Sequence, residues 1–187
     1  METILINEQH WQYLRDLRWE MLADTPIAYV ESLADAKALP ESEWRFRARR
    51  CAEPNSVGLA AVDENGRWIG TMSAYISDQG QVFLVGVYVT PSARGSGVAD
   101  LLLDGIEAWV IANASSRVLT LGVHESNDRA QAFYRRRGYL PTGETEPYKL
   151  DPRQSEILMV RVLVAGTDDA PPGATGSGPS AHGHPGR

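Results

Sequence analysis

Two stretches of the chain carry residue types that could do chemistry. The first is "VYVTPSARGSGVA" at 87–99, where the chain leaves one apolar run and enters another through a loop with little side-chain bulk. Val82, Phe83, Leu84, Val85, Val87, Tyr88 and Val89 make a nearly continuous apolar strand, as expected when both faces are covered. Pro91 ends it. From Val98 to Ile111 nearly every position is apolar apart from an acidic stripe at Asp100, Asp104 and Glu107. A helix with that pattern packs heavily, so its N-terminus is held in place and offers free N–H groups and a positive dipole end. Gly95 and Gly97 let a ligand approach the backbone with no Cβ in the way, and Arg94 adds a cation. The combination suits a pyrophosphate. The alternative is a tight strand-to-helix turn that uses glycine for geometry alone. The loop is neither a P-loop, since no Gly-Lys-Ser/Thr follows, nor Gly-x-Gly-x-x-Gly, since position 100 is Asp.

The second stretch is "LTLGVHESNDRAQAFYRRRGY" at 119–139. Its helix is well built for local reasons. Asn127 caps it, Asp128 suits the dipole, and Ala130, Phe133 and Tyr134 form an apolar stripe. Arg135, Arg136 and Arg137 stand at its negative end, and Gly138 fits the position after it. On these grounds Tyr134 is either a core residue or a group facing a site.

The rest of the chain must position these stretches. "ETILI" at 2–6 reads as a strand. Trp11, Leu14, Leu17, Met21 and Leu22 fit a helix with one apolar stripe, capped by Asn7 and broken near Pro26. A looser segment follows, and a helix restarts at 40–50 with Pro40 near its first turn. Strand-like runs near 55–63, 67–77 and 81–90, joined by Asn65-Gly66 and by Asp78-Gln79-Gly80, predict an antiparallel meander. Then come a helix near 96–113, a strand at 117–124, a helix near 127–137, and strands near 139–148 and 156–163. The class is α/β in the α+β sense: a central, mostly antiparallel sheet of about seven strands flanked by helices. Residues 1–164 form one domain, and the Gly-, Pro- and Ala-rich stretch 165–187 is expected to be a disordered tail.

Composition narrows the function. The 187 residues carry a net charge of −6, which argues against nucleic acid as a partner and is compatible with amines. Cys51 is the single cysteine, so no intrachain disulfide forms. With no apolar run of about 18 residues and no signal-peptide pattern at the start, no membrane partner and a cytoplasmic location are expected. No metal site is expected either, His182 and His184 of the tail being the only candidates.

Taken together, the two stretches resemble the GNAT superfamily of N-acetyltransferases. Its coenzyme A signature, Arg/Gln-x-x-Gly-x-Gly/Ala, is met by Arg94, Gly97 and Ala99. Its second signature, Asn-x-x-Ala-x-x-x-Tyr followed by Gly-Tyr/Phe, is met by Asn127, Ala130, Tyr134, Gly138 and Tyr139. The resemblance covers about residues 2–163, and the element order agrees. It implies a sheet splayed between strands four and five, with acetyl-CoA as cofactor and coenzyme A as product. By the same resemblance, the backbone of Val87, Tyr88 and Val89 pairs with the pantetheine arm. The amides of Gly95, Ser96, Gly97, Val98, Ala99 and Asp100 hold the pyrophosphate, with Asn127 and Ala130 nearby. Tyr134 is the general acid, and the acetyl group passes directly to a primary amine of a small molecule in a ternary complex. A homodimer also fits the family.

The chain departs from the family at the base. Some relatives carry a Glu on strand five, five residues before the Asn, where this chain has Gly122. His124 is the nearest candidate base, with Glu125 beside it. Water alone, or a water chain to Glu20, Asp24 or Glu31, is the alternative. For the acceptor, Trp19, Glu20 and Tyr29 offer aromatic walls and a carboxylate. A peptide N-terminal acetyltransferase and a non-catalytic acyl-CoA sensor are the rival readings.

Overall fold

The two turn signals close as read. Asp63 Oδ1 accepts the N–H groups of Asn65 and Arg67, and Gly80 N–H donates to the Ser77 carbonyl. The computed structural model describes residues 1–164; the expected tail at 165–187 lies outside the described residues. The turns link β2 (Ser56–Val62), β3 (Trp68–Ile76) and β4 (Val82–Val89) as an antiparallel meander, with β1 (Glu2–Leu5) on the outer edge of β2. β5 (Val118–His124), β6 (Leu140–Pro147) and β7 (Ser155–Val162) complete a seven-stranded sheet of order β1-β2-β3-β4-β5-β7-β6. Every neighbouring pair is antiparallel except β4–β5.

That parallel pair is short. Only Val82–Leu119 and Phe83–Thr120 stand in register. Beyond them the strands part, which is the expected splay. The register shift of β3 against β4 between Thr71 and Ser73 falls beside the parting. A bulge of this kind bends a strand and strengthens its twist.

The helices are α1 (Trp11–Asp24), α2 (Leu33–Ala38), α3 (Glu41–Arg50), α4 (Val98–Asn113) and α5 (Asp128–Arg136). α2 occupies the segment read as loose, where the Ser32 hydroxyl accepts the Asp35 N–H at 3.1 Å and starts a short turn of helix. Asn7 caps a single 3-10 turn at Glu8–His10 that leads into α1, rather than α1 itself. No helix among the described residues is long and apolar enough to cross a membrane.

Two cores sandwich the sheet. On one face α4 buries Val98, Leu102, Leu103, Ile106 and Val110 against Met72, Leu84, Leu119, Leu121 and Met159. On the other, Leu17, Met21 and Trp44 of α1 and α3 pack on Ala60, Trp68 and Tyr88. Full burial of each such aliphatic side chain contributes about 1.5–3 kcal/mol, so the start of α4 is rigidly placed over β4. Gly105 lets α4 settle on β2, since a Cβ there would lie 2.6 Å from Leu59 Cδ1.

The far side of α4 is tied by charge. Glu107 is 8 % exposed and accepts from Arg161 of β7 (2.6 Å), Arg137 beyond α5 (3.2 Å) and the Tyr139 hydroxyl (3.3 Å). Arg137 also reaches Asp100 and Asp104. The acidic stripe of α4 is therefore the dock for α5 and β7 rather than a solvated face. Glu107→Ala leaves two guanidinium groups without their shared anion, and is expected to cost roughly 2–3 kcal/mol in urea unfolding with no change in the slope.

Candidate active site

Where β4 and β5 part, a cleft of about 1110 Å³ opens between them and runs from the start of α4 across to α3. Its β4 wall follows from strand alternation. Thr90 N–H donates to the Ile69 carbonyl, so Thr90 and Tyr88 turn their backbone groups toward β3 while Val87 and Val89 turn theirs toward the split. The carbonyls confirm it: Val87 accepts from the Tyr29 hydroxyl at 2.9 Å and Val89 from Arg94 Nε at 3.2 Å. Tyr88 borders the cleft but sends its ring into the core, with its hydroxyl 3.4 Å from Glu20 Oε1.

At one end of the cleft lies the glycine loop. Gly95 and Gly97 have φ of 77° and 87°, the left-handed region that glycine favours. A Cβ built on either meets no atom within 4 Å, so the open space there is not a demand of the protein's own packing. Gly97 caps α4 with no side-chain hydrogen bond, and the N–H groups of Gly97, Val98, Ala99 and Asp100 have no backbone acceptor among the described residues. Those amides and the bare glycines form a cradle for an anion. Ser96 is not part of it, because its hydroxyl and N–H both turn back to the Ala93 carbonyl. Arg94 lines the cleft, but its guanidinium is taken up by an ion pair with Asp24 and by the Val89 carbonyl, so it contributes little free positive charge.

Tyr134 enters from α5, 5 % exposed and lining the cleft. Burial, and then the neighbouring Tyr29, push its phenol well above the ordinary value, so it stays protonated. Asn127 uses Oδ1 to cap α5 through the Ala130 N–H at 3.2 Å; its amide nitrogen has no partner among the described residues and the side chain lines the cleft, as does Ala130. One cleft thus holds an anion cradle, a strand edge with unpaired amides and a buried phenol.

Comparison with known proteins decides what such a cleft belongs to. Residues 11–139 match the model of the acetyltransferase (GNAT) family. The chain belongs to the GNAT family of acetyltransferases. An uncharacterised N-acetyltransferase of Mycobacterium tuberculosis is 31% identical over 144 residues, 76% of this chain and 90% of that one. Among solved structures, the phosphinothricin acetyltransferase of Sinorhizobium meliloti in complex with acetyl-CoA superposes with a TM-score of 0.71 at 19% identity, over 91% of this chain and 92% of that one. The ribosomal-protein-alanine N-acetyltransferase of Brucella melitensis gives 0.69 at 20% identity, over 87% and 100%.

In this GNAT chain several expected residues take other places. His124 lines the cleft, 2 % exposed, but its Nδ1 accepts the Ser126 N–H at 3.1 Å. That bond takes up the Nδ1 lone pair, while Nε2 is buried with no partner among the described residues. Trp19 does not line the cleft; it packs edge-on against Trp44 and donates to the Ala36 carbonyl. Glu20 lines a separate small hollow with Arg67, its ion-pair partner at 3.4 Å. Tyr29 does face the cleft. Asp24 is bound by Arg94, and Glu31 by Arg18 and Arg47, so all three carboxylates of the expected water chain are ion-paired. Sequence reasoning missed Arg129, Arg136 and Glu156, all on the cleft wall. The position of Arg136 just before the helix end was a usable signal, whereas Glu156 depends on the pairing of β5 with β7.

Burial raises the Asp24 carboxyl, but hydrogen bonds from Thr25 and Arg94 and the Arg94 charge outweigh it and hold it below its ordinary 3.8. The tie between α1 and the glycine loop is therefore complete above pH 3.8 and is lost as pH falls through the lower folded value. Asp24→Asn is expected to flatten that part of the acid dependence, read as the difference in urea midpoint between the two proteins from pH 5 down to about pH 3.

Proposed function

We propose that the protein moves an acetyl group from acetyl-CoA to a primary amine of a small molecule, by direct transfer with both bound. The observation that carries the reading is the continuity of the cleft, from the free amides of Gly97 to Asp100, past the unpaired amides of Val87 and Val89, to the Tyr134 phenol. The residues fit the cofactor. The cradle and the α4 dipole suit its pyrophosphate, and the Val87 and Val89 edge suits the amides of its arm once Tyr29 and Arg94 yield their carbonyls. Acetyl-CoA bound there supplies a thioester-activated acetyl group.

The chain's own groups then have distinct tasks. The Val89 N–H, aimed into the split, is a preorganised donor for the oxygen that gains charge. Tyr134, held protonated by burial, donates to the departing sulfur. A small acceptor is favoured over an extended peptide by the closure of one side. The Tyr148 hydroxyl donates to the Tyr29 carbonyl at 2.8 Å and lies 3.3 Å from that of Pro26, joining the segment after β6 to the segment after α1. A reducing cytoplasmic setting fits the free Cys51.

Two measurements test the reading. Calorimetry is expected to give micromolar acetyl-CoA binding to the intact protein and none to Gly97→Glu, which puts a carboxylate into the cradle while circular dichroism stays unchanged. Tyr134→Phe is expected to bind acetyl-CoA normally and to lose roughly 100-fold or more in turnover across a panel of primary amines. Normal turnover would remove Tyr134 as the proton donor.

A further inference from the structure

We propose that Glu156 is the general base of the transfer, reaching from β7 over the place that Gly122 leaves open on β5, and that with Glu146 it makes this end of the cleft a site for a cationic amine. The inference rests on the reading of the cleft as an acyltransferase site. Gly122 stands in register with Leu158, and a Cβ built on Gly122 would lie 3.7 Å from the Glu156 carboxylate carbon and from its Oε2. The β7 carboxylate hangs over the bare glycine, where a strand-five side chain would otherwise project.

Among the described residues, four carboxylates line the cleft: Glu43, Asp100, Glu146 and Glu156. Glu43 is paired with Arg47, and Asp100 with Arg136 and Arg137. Glu146 and Glu156 have no ion-pair partner among the described residues, and they stand directly opposite each other in the β6–β7 register. Two carboxylates paired across neighbouring strands on the cleft wall attract a cation. From β5 the facing group is His124, the register partner of Glu156. Across the cleft Arg18 and Arg47 are bound to Glu31, and Arg50 also lines the wall. Burial first, and then the Glu146 charge, raise the Glu156 carboxyl above its ordinary value, with His124 opposing. A carboxylate raised in this way is a stronger proton acceptor than one in open solvent.

The step balances. The acceptor ammonium gives one proton to Glu156, and the freed nitrogen lone pair forms the C–N bond to the acetyl carbon. The C–S bond breaks, and the sulfur takes the Tyr134 proton. The nitrogen's second surplus proton restores the phenol, and Glu156 releases its own to water.

The test uses the full chain, acetyl-CoA, and a panel comprising a polyamine, an aminoglycoside and free amino acids. With whichever amine the wild type acetylates, Glu156→Gln is expected to lower kcat about 100-fold. Acetyl-CoA binding and thermal midpoint should be unchanged, and the defect should narrow as pH approaches the amine's own pKa. Gly122→Glu combined with Glu156→Gln returns a carboxylate to the same space and is expected to recover at least about tenfold of that loss. Independently of activity, the Glu156 side-chain carbon signal in NMR is expected to titrate above the ordinary 4.5 and to fall back in Glu146→Gln. A Glu156→Gln protein within about twofold of wild type at neutral pH, or a Glu156 carboxyl indifferent to Glu146→Gln, overturns the inference. A wild type that acetylates none of the panel overturns the small-molecule amine reading, and Glu156 as the base for such an amine with it.

Discussion

A sheet holds together because neighbouring strands satisfy each other's backbone groups, and in this protein that rule is suspended at one place. β4 and β5 stay in register only at Val82–Leu119 and Phe83–Thr120 and then diverge. Parallel strands pair slightly less stably per residue than antiparallel ones, so the seam lies where separation costs least. On either side the antiparallel meander and the β5–β7–β6 unit stay paired apart from local register shifts, and α4 clamps the meander from one face. The cleft, the exposed amides of Val87 and Val89, and the placement of the glycine loop just past the end of β4 all follow from that parting.

Charge is organised around the same seam. Arg94 holds α1 to the glycine loop through Asp24; Glu31 gathers Arg18 and Arg47 and so draws α1 and α3 together; Glu107 and Asp100 bind α5 and β7 to α4. Each tie neutralises groups that would otherwise compete for a ligand. What stays open along the cleft includes the backbone amides at the start of α4, the Glu146–Glu156 pair, and Arg50 and Arg129, which form no ion pair among the described residues.

Much of this was legible in the residues because it rests on local chemistry. The Asn65-Gly66 turn, the Val82–Val89 run, the glycine loop and the Asn127 cap are short-range signals, and the elements they mark lie within a few residues of their expected bounds. α2 was not legible, since six residues capped by Ser32 leave almost no periodicity. Side-chain engagement was not legible either. Arg94 reads as a free cation until the fold brings Asp24 to it from 70 positions away, and only the turn after β5 sets the Ser126 N–H against the His124 Nδ1. Trp19 and Glu20 share a helix with cleft-facing Arg18 but project from it in other directions. Glu156 could not be found at all without the β5–β7 register, which no local pattern encodes.

The engagement of Tyr29 and Arg94 with β4 has a meaning beyond the site. A parted sheet carries a raw strand edge in its interior, and such an edge is a template on which any extended segment of another chain can add itself. The Tyr29 hydroxyl and the Arg94 guanidinium occupy the two carbonyls along that edge, so a foreign strand finds half of the ladder already taken. A flexible ligand arm needs only one or two of those positions and can displace a side chain at each, whereas a continuous strand must displace them together. The same two residues therefore guard the protein against self-association at its own seam while leaving that seam open to a narrow guest.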